Sequence, residues 1–317
     1  MKKFFCKVVL CLFTLVSISQ LGCAEAVNSS AEKISIITSI FAPYDFAREI
    51  AGDAADIKML LPPASETHSF EPTPRDIIQI QNCDIFIYVG GESDAWVGDI
   101  LESMDTSGMK IITLMDCVET VEEEIVEGMQ AEDAGGEGEE APELDEHVWT
   151  SPRNAMLIVQ KISDALCESD SNNAGLYHQR TAAYAEELTK LDAMFQDVVD
   201  HAVRKTVVFG DRFPFRYLAD AYGLGYYAAF PGCSTESDAS VSTVKFLIDK
   251  VKADAIPVIF HIELSNQRMA ETIAEETGAS VMLLHACHNI SKDDFEAGKR
   301  YIDLMTDNLN ALREALY

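Results

Sequence analysis

The sequence predicts an α/β protein of two parallel-sheet lobes joined by one long rigid helix. Three observations predict it. Short β-branched runs alternate with helix-length segments up to about residue 115. The same alternation resumes after residue 205. Between them, no proline occurs from Arg153 to Phe213, and apolar residues recur at helical spacing.

In the first lobe "ISIITSI" (34–40), "IKMLLP" (57–62), "IFIYVG" (85–90) and "KIITLM" (110–115) read as buried strands. Helix-length segments at 44–52, 74–82 and 93–104 separate them, which implies a parallel sheet covered on its faces. Leu188, Leu191, Phe195, Val198, Val199 and Ala202 then mark one face of a helix over 172–204. At 1.5 Å per residue it would be roughly 50 Å long, more than a strand crossover needs and suited to a strut. In the second lobe the strands are 206–210, 225–230, 256–262 and 280–286, with helices near 214–222, 239–252, 266–277 and 292–315. The expected organisation is a leader at 1–23, a first lobe at 24–170, a linking helix at 171–204 and a second lobe at 205–317.

The chain has 317 residues and 48% hydrophobic content, enough for two cores. Its net charge of −29 argues against nucleic acid, which wants a positive face, and favours cations as ligands. The leader carries Lys2, Lys3 and Lys7 and then an apolar run from Val8 to about Ile18, a secretory signal too short to span a membrane. It ends in "QLGC", which resembles a lipobox with Cys23 as the lipidated residue, although Gln20 stands where an aliphatic residue is usual. A cut after "AEA" (Ala24–Ala26) would instead release a soluble protein. Both routes place the mature chain outside the cytoplasm, where disulfides persist. Cys83, Cys117, Cys167, Cys233 and Cys287 remain, an odd number. Cys233 in "FPGCS" and Cys287 in "HACHN" each follow a second-lobe strand at one sheet edge, so a disulfide between them is expected. Residues 119–146 hold thirteen Asp or Glu and no Lys or Arg, which predicts a mobile, solvated loop.

Candidate ligands fall where such sheets bind them, past the carboxyl ends of strands. His68 follows strand 57–62, His147 follows strand 110–115 after the acidic loop, Asp211 follows strand 206–210, and His285 ends strand 280–286. His68 in "ETHSFEPTPRD" and His147 in "DEHVWTSPRNA" share one grammar: each precedes a helix start capped by Thr73 or Ser151 with Pro74 or Pro152 behind it. Such starts anchor the loops that carry the histidines. His178 and His201, on the long helix, read as surface residues, and His261, inside a strand, as a core residue. Spacing alone gives no HExxH or CxxC pattern.

Residues 35–97, with "LLPP…ETHSFEPTPRD", and the later "DEHVWTSPRNA" resemble the zinc and manganese substrate-binding proteins of bacterial ABC transporters. The resemblance implies two α/β lobes bridged by a helix, with the metal in the cleft between them and His68 and His147 as its first two ligands. The family's third ligand position falls on Arg212, which cannot bind a cation, so its neighbour Asp211 is the expected carboxylate. The fourth falls on His285, for which Cys287 or His288 could substitute; Glu66 is another oxygen donor. Three imidazoles and a carboxylate suit Zn2+ better than Mn2+, which prefers oxygen. The implied protein is a monomeric, lipid-anchored extracytoplasmic receptor that hands a divalent metal ion to a membrane ABC permease and performs no reaction. Two readings compete: a secreted zinc hydrolase with Glu66 or Glu146 as general base, and a metal-binding surface adhesin.

Overall fold

A computed structural model describes residues 33–66, 70–130, 143–234 and 239–317. The leader with Cys23, residues 67–69 with His68 and residues 131–142 of the acidic stretch lie outside the described residues. In chain order the first half contains β1 (Ile34–Thr38), α1 (Phe41–Ala51), β2 (Ala55–Met59), α2 (Pro74–Gln81), β3 (Ile85–Tyr88), α3 (Ala95–Glu102), β4 (Lys110–Thr113) and α4 (Pro152–Ser169). The linking helix is α5 (Ala174–Asp200). After it come β5 (Thr206–Phe213), α6 (Arg216–Tyr222), β6 (Gly225–Pro231), α7 (Val241–Ala253), β7 (Val258–His261), α8 (Arg268–Thr277), β8 (Ser280–Leu283), α9 (Lys292–Glu296) and α10 (Tyr301–Leu316).

Two four-stranded sheets result, ordered β2-β1-β3-β4 and β6-β5-β7-β8, and every pairing is parallel. Every predicted strand is present. Their cores are near-continuous apolar runs, such as Ile85, Phe86 and Ile87, because helices cover both faces of a parallel sheet. The two orders repeat one winding, so both sheets present the carboxyl ends of their central strands to loops that can meet.

The helix starts follow the expected chemistry. Thr73 Oγ1 accepts from the Asp76 N–H at 3.3 Å, and Asp76 Oδ2 accepts from the Thr73 N–H at 3.1 Å, a reciprocal capping box behind Pro74. Ser151 Oγ accepts from the Arg153 N–H at 3.3 Å in front of α4. The linking helix has 27 residues, about 40 Å at 1.5 Å each, shorter than the expected 172–204. It is not a bare strut. Tyr177, Tyr184, Leu188, Leu191, Phe195, Val198 and Val199 are buried along it, and it packs against α4, α1 and α10. Burial of each such side chain contributes about 1.5–3 kcal/mol.

Two expectations change. The helix read over 292–315 is two helices, α9 and α10. Gly298 at φ 73° turns the chain between them, and Asp45 Oδ2 accepts from the Tyr301 N–H at 2.8 Å, which fixes the new start. The acidic loop is not solvated throughout. At its described ends Val118, Val121, Val126 and Met129 pack on the main core, Gln130 N–H donates to the Ala229 carbonyl at 2.9 Å and Glu122 bridges to Leu144. Apolar residues every few positions dock these ends while their carboxylate neighbours face outward or cap other groups.

Candidate metal centre

The second half of the acidic loop delivers Asp145, Glu146 and His147, all buried. The Asp145 N–H donates to the Val121 carbonyl at 2.9 Å, and Tyr217 Oη donates to the Asp145 carbonyl at 2.6 Å, so both sides of the chain hold this strand. Asp145 Oδ1 accepts from the His147 backbone N–H at 2.8 Å and lies 3.0 Å from His147 Nδ1. With the proton on Nδ1 shared with that carboxylate, the Nε2 lone pair is exposed to whatever lies in front of it. Nε2 is buried and has no hydrogen-bond partner among the described residues. An orphaned nitrogen on a fully buried imidazole, oriented by a carboxylate behind it, is the arrangement of a metal ligand with its supporting shell.

A second imidazole, that of His288, stands against the first. Its ring meets the His147 ring edge-on, with centroids 4.6 Å apart at 87°, and meets Trp149 at 4.7 Å. Trp149 is anchored by Nε1 donating to the Ala286 carbonyl at 2.7 Å. The loop of His288 is built with care. Glu263, after β7, accepts from the Ala286 N–H at 2.7 Å and the His288 N–H at 3.0 Å. Asn289 Nδ2 donates to the carbonyls of Pro62 at 2.9 Å and Ser65 at 2.7 Å. The second-half loop is thereby tied to the first-half loop that leads to His68.

Glu146 completes one wall. It accepts from the Ser93 N–H at 3.1 Å and from the Ser93 hydroxyl. His288 and Glu146 border a narrow cleft with Ser39, Leu61, Phe70 and Val89. Leu61, Val89 and Ser39 lie just past the ends of β2, β3 and β1, where a parallel sheet offers its ligand site. Cys233 closes the other side: ligand atoms of Glu146, His147 and Cys233 all lie within 4.8 Å of one another.

The electrostatics are those of a cation site. Burial opposes a charged His147, yet Asp145, Glu146 and Glu123 outweigh it and raise the imidazole above the usual histidine range. Burial pushes Glu146 up, against the pull of His147 and the Ser93 hydrogen bonds. Burial also pushes the Cys233 thiol well up, reinforced by Glu146, Glu123 and Asp145.

Of the residues predicted from sequence, His147 is at the centre and His68 lies outside the described residues. Asp211 is not brought to His147. The irregularity in β5 turns its carboxylate to the backbone, where it accepts from the Ile262 N–H at 3.2 Å and the Arg212 N–H at 2.9 Å, beside a separate hollow with Glu66 and Asn266. The structure sets His288, rather than His285, against the His147 ring. The strand ends at Leu283, two residues before His285. Asn308 of α10 clamps the His285 backbone at 2.6 and 2.8 Å, and the ring borders a groove with Leu283, Lys299 and Asp307 while Nδ1 accepts from the Cys287 N–H at 3.0 Å. The expected Cys233–Cys287 disulfide is also corrected, since both are free thiols. Cys287, at φ 60°, turns its thiol into the core, whereas Cys233 faces His147. Glu66 forms an ion pair with Arg212 at 3.4 Å. Sequence reasoning missed Asp145 and Glu263, which touch the site only through other residues. The signal for Asp145 was its place two residues before His147.

Known proteins resemble this chain in sequence and fold. The chain is 30% identical over 312 residues to the zinc-binding lipoprotein AdcA of Streptococcus pneumoniae, covering 97% of this chain and 60% of that protein. It is 28% identical to the high-affinity zinc uptake system protein ZnuA of Bacillus subtilis, covering 96% and 95% of the two chains. The crystal structure of the Zn(II)-bound ZnuA-like domain of S. pneumoniae AdcA superposes with a TM-score of 0.73 at 29% identity, over 90% of this chain and 99% of that one. The chain thus spans about 60% of the AdcA relative's length. The model of the zinc-uptake complex component A, periplasmic, family (ZnuA) matches residues 36–315, and the chain belongs to that family.

Proposed function

We propose that this protein captures Zn2+ outside the cytoplasm and delivers it to an ABC permease, as a monomer anchored through lipid on Cys23. One observation carries the reading. The fully buried His147 has its Nδ1 held by Asp145 and an orphaned Nε2, and His288 packs edge-on against its ring at the mouth of the strand ends. His68, His147 and His288 are the proposed imidazole ligands. The lobes at 24–170 and 205–317, linked over 171–204, are the two jaws that the ion joins. The family membership and the likeness to a Zn(II)-bound domain support zinc as the solute. So does the chemistry, because imidazole suits Zn2+ and manganese favours oxygen. Glu146 is committed to Ser93 and is poorly placed to act as the general base of a hydrolase.

The test is equilibrium competition on the purified protein, with zinc and manganese at equal concentration against a chromophoric chelator. The expected result is one Zn2+ per chain, retained in the presence of manganese. Preferential retention of manganese, or no stoichiometric binding of either ion, contradicts the proposal.

A further inference from the structure

We propose that Cys233 coordinates the captured ion as a thiolate, making the centre a mixed imidazole–sulfur site; this rests on the receptor reading above. The turn at 232–234 is built against His147 rather than left beside it. A Cβ on Gly232 would meet His147 Cε1 at 2.9 Å and Nδ1 at 3.1 Å, so only a glycine lets this turn lie so close to the imidazole. Two further bonds hold the turn. The Cys233 N–H donates to Glu123 Oε1 at 3.0 Å, and Arg212 Nη1 donates to the Ser234 carbonyl at 3.1 Å.

The result is a thiol close to a buried imidazole that has an unpartnered nitrogen, with a carboxylate near both. One ligand atom from each of Glu146, His147 and Cys233 lies within 4.8 Å of the other two. Around a tetrahedral Zn2+ with bonds of roughly 2.0–2.3 Å, neighbouring ligand atoms stand about 3.3–3.8 Å apart. The observed spread therefore needs a contraction of about 1.5 Å at most, within what a short turn and a side-chain rotation supply. A disulfide is not the thiol's use, since Cys233 is free. On binding, Zn2+ forms the Zn–S bond, the S–H bond breaks, and its proton leaves to solvent. A thiolate in the first shell also gives the chemical basis of selectivity. It favours a borderline-soft ion such as Zn2+ over Mn2+, which a site of oxygen donors would not.

Cobalt substitution reads sulfur ligation directly. Purified protein is loaded with one equivalent of Co2+ and compared with Cys233→Ser, and peptide-level alkylation is followed with and without Zn2+. The expected result is a near-ultraviolet sulfur-to-cobalt charge-transfer band in the parent that disappears in Cys233→Ser. Zinc protects Cys233 from alkylation while Cys167 reacts as before, and Cys233→Ser loses at least about tenfold in zinc affinity. Stoichiometric Co2+ binding with visible ligand-field bands but no charge-transfer band overturns the thiolate and leaves the receptor reading standing. A band that survives in Cys233→Ser overturns it as well. Failure of the parent to bind Co2+ or Zn2+ overturns both readings.

Discussion

Replacing His147 by alanine lowers zinc affinity by roughly 100-fold or more, a loss beyond the 10–100-fold typical of changes one shell further out. The imidazole is fully buried and its Nε2 has no partner among the described residues. Asp145→Ala provides the graded companion. It keeps the ligand but removes the carboxylate 3.0 Å from Nδ1 that fixes the tautomer, so the expected loss is about 10–100-fold. Titration against a competing chelator measures both. Circular dichroism separates a lost ligand from a lost fold, because Asp145 also holds the His147 backbone N–H at 2.8 Å. Parent-like affinity in His147→Ala would remove the centre from this cleft.

The second large effect distinguishes two histidines three residues apart. His288→Ala is expected to weaken zinc binding by at least about tenfold, whereas His285→Ala leaves it near the parent value. His288 shares ring contacts with His147 and Trp149. His285 is committed to the groove beside α10. Paired measurements by isothermal titration decide between them. The opposite pattern would return the ligand to the strand-end position that the sequence suggests.

That contrast shows where sequence reading reaches its limit. Strand runs such as Ile85–Tyr88, the Thr73 and Ser151 caps and the apolar face of α5 are local patterns, and the structure repeats them. The placement of His147 after the fourth strand follows from the same local logic. The second lobe was less legible because its ligand loop departs from a simple strand end. β8 stops at Leu283, Cys287 adopts a left-handed backbone, and Glu263, distant in sequence, gathers the Ala286 and His288 amides. Asp211 looks like a ligand in sequence, yet the irregularity in β5 spends its oxygens on backbone N–H groups. Cys233 read as half of a disulfide because both cysteines follow strands. Which way each thiol points depends on turn geometry, including the glycine at 232 that brings one of them to His147. Long-range register and turn conformation of this kind leave little trace in residue order.

The most direct measurement is anomalous diffraction at the zinc edge from crystals of the zinc-loaded protein. The account predicts one strong peak per chain, bonded to His147 Nε2 and within coordination distance of His288, at the cleft bordered by Ser39, Leu61 and Glu146. A peak bonded instead to Asp211 or His285, or no ordered peak at His147, would contradict it.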